Sequence, residues 1–215
     1  MVGEEDVVIA LTNSKGGVGK TTLAVHLAAW SQEHGHGVVL VDADSQGASS
    51  LWLREAAPGI KAVRLPSADD VLDAIPTLQK DFGLIVVDGP AGLSEITRSI
   101  LLVADLALLP CGPSVLDLRA ATEAVKVVRQ AQRIRHGMPE ARLVPNKLQA
   151  RYRLSRELLE SLRFLAVPTS NGLRLRQAFA DAAGQGALVW QLGRRGGCAA
   201  REIRGLFHGL FAEKS

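Results

Sequence analysis

A glycine-rich segment between an apolar run and an amphipathic run constrains this chain more than any other feature. The apolar run VVIAL (7–11) predicts a buried β-strand, and TTLAVHLAAWSQEHG (21–35) has apolar residues at helical spacing. Between them lies SKGGVGKTT (14–22), whose glycines let the backbone curl so that its N–H groups converge. A strand, a glycine-rich turn and a helix in this order predict a phosphate-binding loop.

The residues of this loop have separate expected roles. Lys20 is expected to reach the β- and γ-phosphates, and Thr21 to ligate Mg²⁺ through its hydroxyl. The helix that starts near Lys20 adds its positive N-terminal end. We therefore expect a nucleoside triphosphate and Mg²⁺ as the ligands. The predicted nucleotide-binding residues of the loop are Lys15, Gly16, Gly17, Val18, Gly19, Lys20, Thr21 and Thr22.

The loop carries a second lysine, Lys15, at its outer lip. This position is too early in the loop for Lys15 to lie under the same phosphates as Lys20. A cation there is most useful if it meets a nucleotide held by another molecule, as an arginine finger does. The alternative is that Lys15 only neutralises the local field.

Strand-like and helix-like segments alternate along the whole chain. Runs that are apolar on both faces and separated by helices predict a parallel sheet covered on two sides, an α/β doubly wound fold in a single domain over 1–215. A glycine-rich stretch at 184–197 is predicted as a loop. The predicted strands are 7–11, 37–41, 82–88, 104–110, 142–146 and 164–168, and the predicted helices after the first are 67–80, 95–103, 117–136, 154–163, 172–183 and 200–212.

Three aspartates end predicted strands. Asp42 and Asp44 follow the second strand, where ligand sites form in such sheets, although both residues also suit an ordinary turn. Asp88 follows the apolar residues 84–87, so it is expected at the tip of a buried strand. That is where a carboxylate holds Mg²⁺ directly or through water, and capping of the next helix is the alternative.

Charge is distributed unevenly. Residues 1–146 hold 13 Lys/Arg against 17 Asp/Glu, whereas residues 147–215 hold 12 against 5. A basic end suggests a polyanionic partner, and a solvated basic surface is the alternative. The two cysteines, Cys111 and Cys198, have no metal-binding spacing, and the N-terminus is not a secretory signal, so a cytoplasmic protein is expected.

The segments KGGVGKTT, VDADSQG, LIVVDGPAG and LVPNK together resemble the ParA/MinD family of deviant Walker A ATPases. The resemblance implies that Lys15 reaches into the partner's active site in an ATP-sandwich dimer. It implies that Lys15, Lys20 and Asp44 are catalytic, with Asp44 orienting the attacking water. Thr21, Asp44 and Asp88 are then the Mg²⁺ site, and Asn146 touches the adenine base. By the same resemblance, PSVLDLRAA (113–121) lies at the dimer face, with Asp117 near the base.

The resemblance also implies a function. Members of this family are slow ATPases in which ATP drives dimerisation and hydrolysis reverses it. The short chain is similar to the ParF-like partition ATPases, which implies non-specific DNA binding, association with the nucleoid, an adaptor of the ParB type, and the positioning of plasmid, chromosome or protein cargo. The basic last third fits DNA, because binding to backbone phosphates needs little beyond Lys and Arg.

Two other classes of function stay open. The C-terminal segment REIRGLFHGLFAEKS has an apolar helical face, which either docks on the protein's own core or lies on a membrane as in the MinD branch. We favour docking, because Glu213 lies close to this face. A metabolic enzyme with a phosphate loop, similar to dethiobiotin synthetase, would need a substrate-carboxylate site that the motifs do not show.

Overall fold

A computed structural model of the chain describes residues 7–212. Six parallel strands form one sheet in the order β3-β2-β4-β1-β5-β6. The strands are β1 (Val7–Asn13), β2 (Val38–Asp42), β3 (Lys61–Arg64), β4 (Leu84–Ala91), β5 (Leu106–Cys111) and β6 (Glu140–Pro145). The doubly wound α/β fold predicted from the sequence is confirmed, and the sheet is parallel throughout.

Within residues 7–212, eight α-helices connect and cover these strands. They are α1 (Lys20–Glu33), α2 (Ala48–Ala56), α3 (Ala68–Leu78), α4 (Glu95–Val103), α5 (Val115–Ile134), α6 (Arg153–Leu162), α7 (Gln177–Gly184) and α8 (Gly197–Ala212), with short 3₁₀ turns at Arg163–Leu165 and Val189–Arg195. Neighbouring residues of β1 face opposite cores: Ile9 packs with α1 and α8, whereas Val8 packs with α3 and α4. Helices on both faces therefore bury the sheet, as the two-sided apolar strands predict.

Several predicted boundaries are wrong. The segment 164–168 is not a strand: its start is a 3₁₀ turn, Ala166 has a φ of 49°, and only Thr169 bridges to Leu143 of β6. The sequence patterns predict neither strand β3 nor helix α2. Strand β3 is an edge strand with exposed Lys61 and Arg64, and it lacks the apolar run by which a buried strand is recognised. The helix predicted at 172–183 begins only at Gln177. The loop predicted at 184–197 contains the 3₁₀ turn at Val189–Arg195, where Val189 is buried.

The apolar face of the C-terminal helix docks on the protein's own core. Ile203, Leu206, Phe207 and Leu210 of α8 are each at most 4% exposed. Phe207 packs against Trp30 of α1, with ring centroids 5.7 Å apart. Within residues 7–212, no helix combines the length and the hydropathy needed to cross a membrane. Glu213, which is close to this face in the sequence, lies outside the described residues.

Candidate functional site

The glycine-rich loop leaves β1 and enters α1 at the carboxyl edge of the sheet. Gly17 and Gly19 have φ values of 73° and 102°, in the left-handed region that favours glycine. Gly19 is the N-cap of α1, and no side chain caps the helix or places an acid in its first turn. The backbone N–H groups and the helix dipole at this end are therefore available to an anion.

Asn146 holds the loop from the neighbouring strand end. Its Nδ2 donates to the carbonyl of Val18 at 2.8 Å. A Cβ atom at Gly19 would lie 2.3 Å from this Nδ2, so the close approach requires glycine. Lys147 adds a second contact, because its Nζ donates to the carbonyl of Gly17 at 2.7 Å. The loop is thus supported at two successive residues.

Lys20 is buried beneath the loop. Its Nζ donates to the carbonyl of Lys15 at 3.2 Å, and Lys20 is only 7% exposed. Burial lowers the pKa of Lys20 from its usual value, while the carboxylates of Asp88 and Asp44 oppose this shift. A desolvated ammonium beneath the loop is suited to compensate phosphate charge.

Thr21 and Asp88 lie together, as a Mg²⁺ site requires. The Thr21 hydroxyl donates to Asp88 Oδ2 at 2.8 Å. Burial raises the pKa of Asp88 to about 7, although the hydrogen bond from Thr21 opposes the shift. The second oxygen, Oδ1, is buried and accepts no hydrogen bond from the described residues. Hydroxyl and carboxylate oxygens are the donors that Mg²⁺ prefers, so these residues fit the ion.

Asp42 and Asp44 differ in burial and in what they bind. Asp42 pairs with Asp88 across β2 and β4, is fully buried, and accepts hydrogen bonds from the backbone N–H groups of Asp44 and Ser50. It therefore braces the turn after β2. Asp44 is half-buried and accepts from the N–H of Gln46 at 2.9 Å. Asp44 lies close enough to Lys20 for its charge to oppose the lowering of the Lys20 pKa.

Lys15 projects from the lip of the loop and contacts the start of α5. Its Nζ lies 2.6 Å from Asp117 Oδ1, and the two side chains are 41% and 13% exposed. Asn13 fixes the backbone beneath Lys15, because its Oδ1 accepts from the Lys15 N–H at 2.9 Å. Asp117 also accepts from Ser114 Oγ at 2.6 Å, and Ser114 in turn caps α5. In the described chain, Lys15 is thus bound to its own protomer.

A cavity of about 250 Å³ opens beside the loop. One wall contains Gly19, Thr22 and Asn146, and the other contains Leu173–Arg176 and Phe179. The predicted residue Asn146 therefore lines this cavity, but Asp117 does not, and a role for Asp117 near a base stays a prediction. Sequence reasoning missed the second wall. Its backbone is held by hydrogen bonds from the N–H groups of Leu173 and Leu175 to the carbonyls of Pro145 and Leu148.

Comparisons with known proteins agree with this geometry. A family model described as the CobQ/CobB/MinD/ParA nucleotide binding domain matches residues 9–189. Maintenance of carboxysome distribution protein A of Halothiobacillus neapolitanus is 32% identical to this chain over 209 residues, which cover 94% of this chain and 95% of that protein. The septum site-determining protein MinD of Helicobacter pylori is 26% identical over 202 residues, or 75% of each chain.

Solved structures share the fold. Apo McdA of Cyanothece superposes with a TM-score of 0.80 and 15% identity, covering 97% of this chain and 99% of that one. MinD of Pyrococcus horikoshii with Mg-ADP has a TM-score of 0.74 and 18% identity, covering 95% of each chain. At 15% and 18% identity, these two structures support the fold alone and not a shared function. The family model covers most of the sequence and includes the whole phosphate loop, so the chain belongs to the CobQ/CobB/MinD/ParA family of nucleotide-binding domains.

Proposed function

We propose that the chain is an ATPase switch of the ParA/MinD type that positions a cargo. The observation that carries this proposal is the pair of lysines in one loop. Lys20 is buried beneath the loop, whereas Lys15 is half-exposed at its lip and held by Asp117. A lysine that serves the protomer's own phosphates would be buried like Lys20. Lys15 is placed to leave Asp117 and serve a nucleotide across an interface.

ATP is the nucleotide that the site fits. The phosphate loop, the Thr21–Asp88 pair and the cavity adjoin one another, so phosphates, Mg²⁺ and base each have a matching surface. A bound Mg²⁺ would neutralise charge that develops on the transferred phosphoryl group. Solved relatives contain ATP in one McdA structure and Mg-ADP in one MinD structure, which supports this choice.

Hydrolysis would use the residues around the γ-phosphate position. Lys20 supplies a buried positive charge, and Asp44 lies on the turn after β2, close enough to Lys20 for its charge to act on the pKa of that lysine. A carboxylate at this position can orient a water molecule toward the phosphate. Lys15 of a second copy would add charge to the same phosphate. Turnover then depends on dimerisation, and hydrolysis removes the group that holds the dimer together.

We infer the class of cargo and partners from the names of the relatives and from the exposed arginines of this chain. One relative over nearly the full length is named for carboxysome distribution, and others include the Protein IncC of Escherichia coli and the chromosome-partitioning ATPase Soj of Thermus thermophilus. We infer that this chain belongs among such positioning ATPases, binds DNA non-specifically as its anchoring surface, and responds to an adaptor protein. Exposed Arg151, Arg153, Arg156 and Arg163 around α6 supply a basic surface for DNA.

The MinD-like membrane alternative has less support. Its sequence basis was the apolar face of α8, and the structure buries that face against α1. For a membrane-bound switch, α8 would have to leave the core. The metabolic alternative has no additional support, because the cavity beside the loop is accounted for by the nucleotide itself.

Dimerisation tests the proposal. We expect the purified chain to be monomeric with ADP and Mg²⁺ and dimeric with ATP and Mg²⁺, as measured by sedimentation velocity. Lys15→Ala should bind ATP with nearly unchanged affinity, remain monomeric and lose hydrolysis. A Lys15→Ala protein that hydrolyses ATP at the normal rate as a monomer would contradict a role across the interface.

A further inference from the structure

The second wall of the nucleotide cavity is attached to the C-terminal helix by one carboxylate. Glu202 Oε2 accepts from Arg176 Nε at 2.9 Å, and Oε1 accepts from Arg176 Nη2 at 2.5 Å. Glu202 Oε2 also accepts from the backbone N–H of Arg174 at 3.3 Å, and Arg174 Nε lies 3.8 Å from Oε1. One glutamate thus binds both arginines that line the cavity.

The strength of this contact follows from its geometry and burial. A guanidinium that gives two parallel hydrogen bonds to one carboxylate forms a strong and directional ion pair. The side chains of Glu202 and Arg176 are only 22% and 27% exposed, so water screens the pair incompletely. The hydrogen bond to Glu202 raises the pKa of Arg176. Burial opposes ionisation of Glu202, but the bonds from Arg176 and the Arg174 backbone lower its pKa overall.

Each partner of the ion pair is fixed to a different part of the molecule. Glu202 precedes Ile203, which is fully buried, so α8 presents the carboxylate from a rigid base. Arg176 is the N-cap of α7, and α7 carries Phe179 and Ala180 of the cavity wall. Fixing Arg176 therefore fixes the point at which the extended wall turns into a helix.

The rest of the wall has few other supports of comparable strength. Leu173 and Leu175 form backbone hydrogen bonds with Pro145, the last residue of β6, and with Leu148, at 2.8 Å to 3.0 Å. These bonds fix the position of Leu173–Leu175 relative to the sheet. They stop at Leu175, one residue before the N-cap of α7, and Glu202 holds that N-cap residue, Arg176. The rings of Phe179 and His26 are also packed edge to face, with their centroids 6.0 Å apart.

We propose that Glu202 is a positioning residue for the base-binding half of the nucleotide site, acting through Arg174 and Arg176. This inference rests on the proposed function, in which the cavity holds the base of ATP. The phosphate loop belongs to a different set of contacts, made by Asn146 and Lys147. Loss of Glu202 should therefore weaken binding of the base and sugar while leaving binding of the phosphates nearly intact.

The contacts of Glu202 also determine which arginines remain available to other partners. Arg176 is committed to Glu202, and Arg174 is shared between Glu202 and solvent, with 60% of its side chain exposed. We therefore place these two arginines in the nucleotide site and not on the proposed DNA surface.

The test compares two probes, ATP and inorganic tripolyphosphate, each with Mg²⁺, by calorimetry. Glu202→Gln keeps the size of the side chain and removes its charge. We expect its Kd for ATP to rise about tenfold and its Kd for tripolyphosphate to change less than twofold. The exchange Glu202→Arg with Arg176→Glu should recover part of the ATP affinity, because it restores the ion pair in reverse.

Glu33→Gln is the matched control. Glu33 pairs with Arg204 at 2.9 Å, so it also ties α8 to the body through an arginine, but neither residue lines the cavity. We expect this variant to bind both probes like the wild type. Equal weakening of both probes in Glu202→Gln, an unchanged ATP affinity, or the same effect in Glu33→Gln would each overturn the inference. Absence of ATP binding by the wild type would instead overturn the proposed function.

Discussion

Lys15 Nζ and Asp117 Oδ1 lie 2.6 Å apart across the gap between the phosphate loop and the start of α5. The contact joins the residue that we assign to the partner's nucleotide to a carboxylate of its own protomer. Lys15 must break this contact before it can cross an interface. The intramolecular ion pair therefore competes with dimerisation and sets part of its free energy.

Asp117→Asn should shift that competition. The amide retains a hydrogen-bond acceptor for Ser114 but loses the charge that holds Lys15. A partly exposed ion pair contributes about 1 kcal/mol or less, so dimerisation should require a few-fold lower protein concentration in the presence of ATP. Sedimentation velocity across a concentration series measures the shift. An unchanged or weaker dimer, with ATP affinity intact, would show that the pair does not restrain Lys15.

Lys20→Ala should abolish binding of ATP with Mg²⁺, because Lys20 is the buried positive charge beneath the loop. Lys147→Ala serves as the control, since it removes a lysine whose Nζ contacts the same loop through the carbonyl of Gly17. We expect this control to bind ATP within a few-fold of the wild type. Fluorescence anisotropy of a labelled ATP analogue compares the two. Wild-type affinity in Lys20→Ala would remove the phosphate-site assignment.

Asp44→Ala should separate binding from hydrolysis. Within residues 7–212 the Asp44 carboxylate accepts only a local backbone hydrogen bond, from Gln46, so its removal leaves the loop and Asp88 in place. The variant should bind ATP, form the dimer and release phosphate at least a hundredfold more slowly, as expected when a residue that orients the attacking water is lost. Phosphate release at the wild-type rate would exclude Asp44 from catalysis.

His26 provides a prediction on pH. It is fully buried, its Nδ1 donates to the carbonyl of Thr22, and its Nε2 accepts from the N–H of Val189. Burial lowers its pKa from 6.5 to about 4. Between these pH values the unfolded chain binds a proton that the folded chain does not. Its contribution to stability is therefore complete above pH 6.5 and is lost as the pH falls toward 4.

The measurement is the difference in unfolding free energy between the wild type and His26→Gln. A difference is needed because the raised pKa of Asp88 has the opposite linkage and makes the folded state less stable as the pH rises toward 7. The wild type should lose on the order of 3 kcal/mol relative to His26→Gln between pH 6.5 and pH 4. Exposed His34, changed to Gln, is the control. A pH-independent difference for His26→Gln would contradict the buried neutral imidazole.

The sequence predicts those parts of the site that depend on local patterns. Gly17, Gly19, Lys20 and Thr21 are adjacent in the chain, and their roles follow from a strand, a turn and a helix. Asp88 was predicted because it ends a run of four apolar residues. Leu173–Arg176 was not predicted, since its extended backbone depends on pairing with a segment more than twenty residues earlier. Edge strand β3 was missed for a related reason, because exposure leaves it without an apolar pattern.

Binding of DNA should depend on particular arginines of the basic third. The basic residues 147–215 are not equivalent in the structure: Arg174 and Arg176 bind Glu202, whereas Arg151 is exposed and Arg153 is 81% exposed despite its pairing with Glu157. We therefore expect the ATP-bound dimer to use the surface that contains Arg151 and Arg153. Two protomers present this surface twice to one duplex, so affinity should rise steeply with ATP and fall steeply with salt.

Charge reversal of Arg151 and Arg153 to Glu should weaken binding of random duplex DNA by tenfold or more and reduce the salt dependence. The loss should be equal on all sequences, because phosphate contacts carry no base information. Reversal of Lys80 and Arg133 alters net charge equally at exposed sites outside the basic third, so it controls for charge alone. Anisotropy of labelled duplex with ATP, with ADP and without nucleotide decides the matter: equal binding in all three states, or equal loss in both double variants, would leave the basic end as a solvated surface.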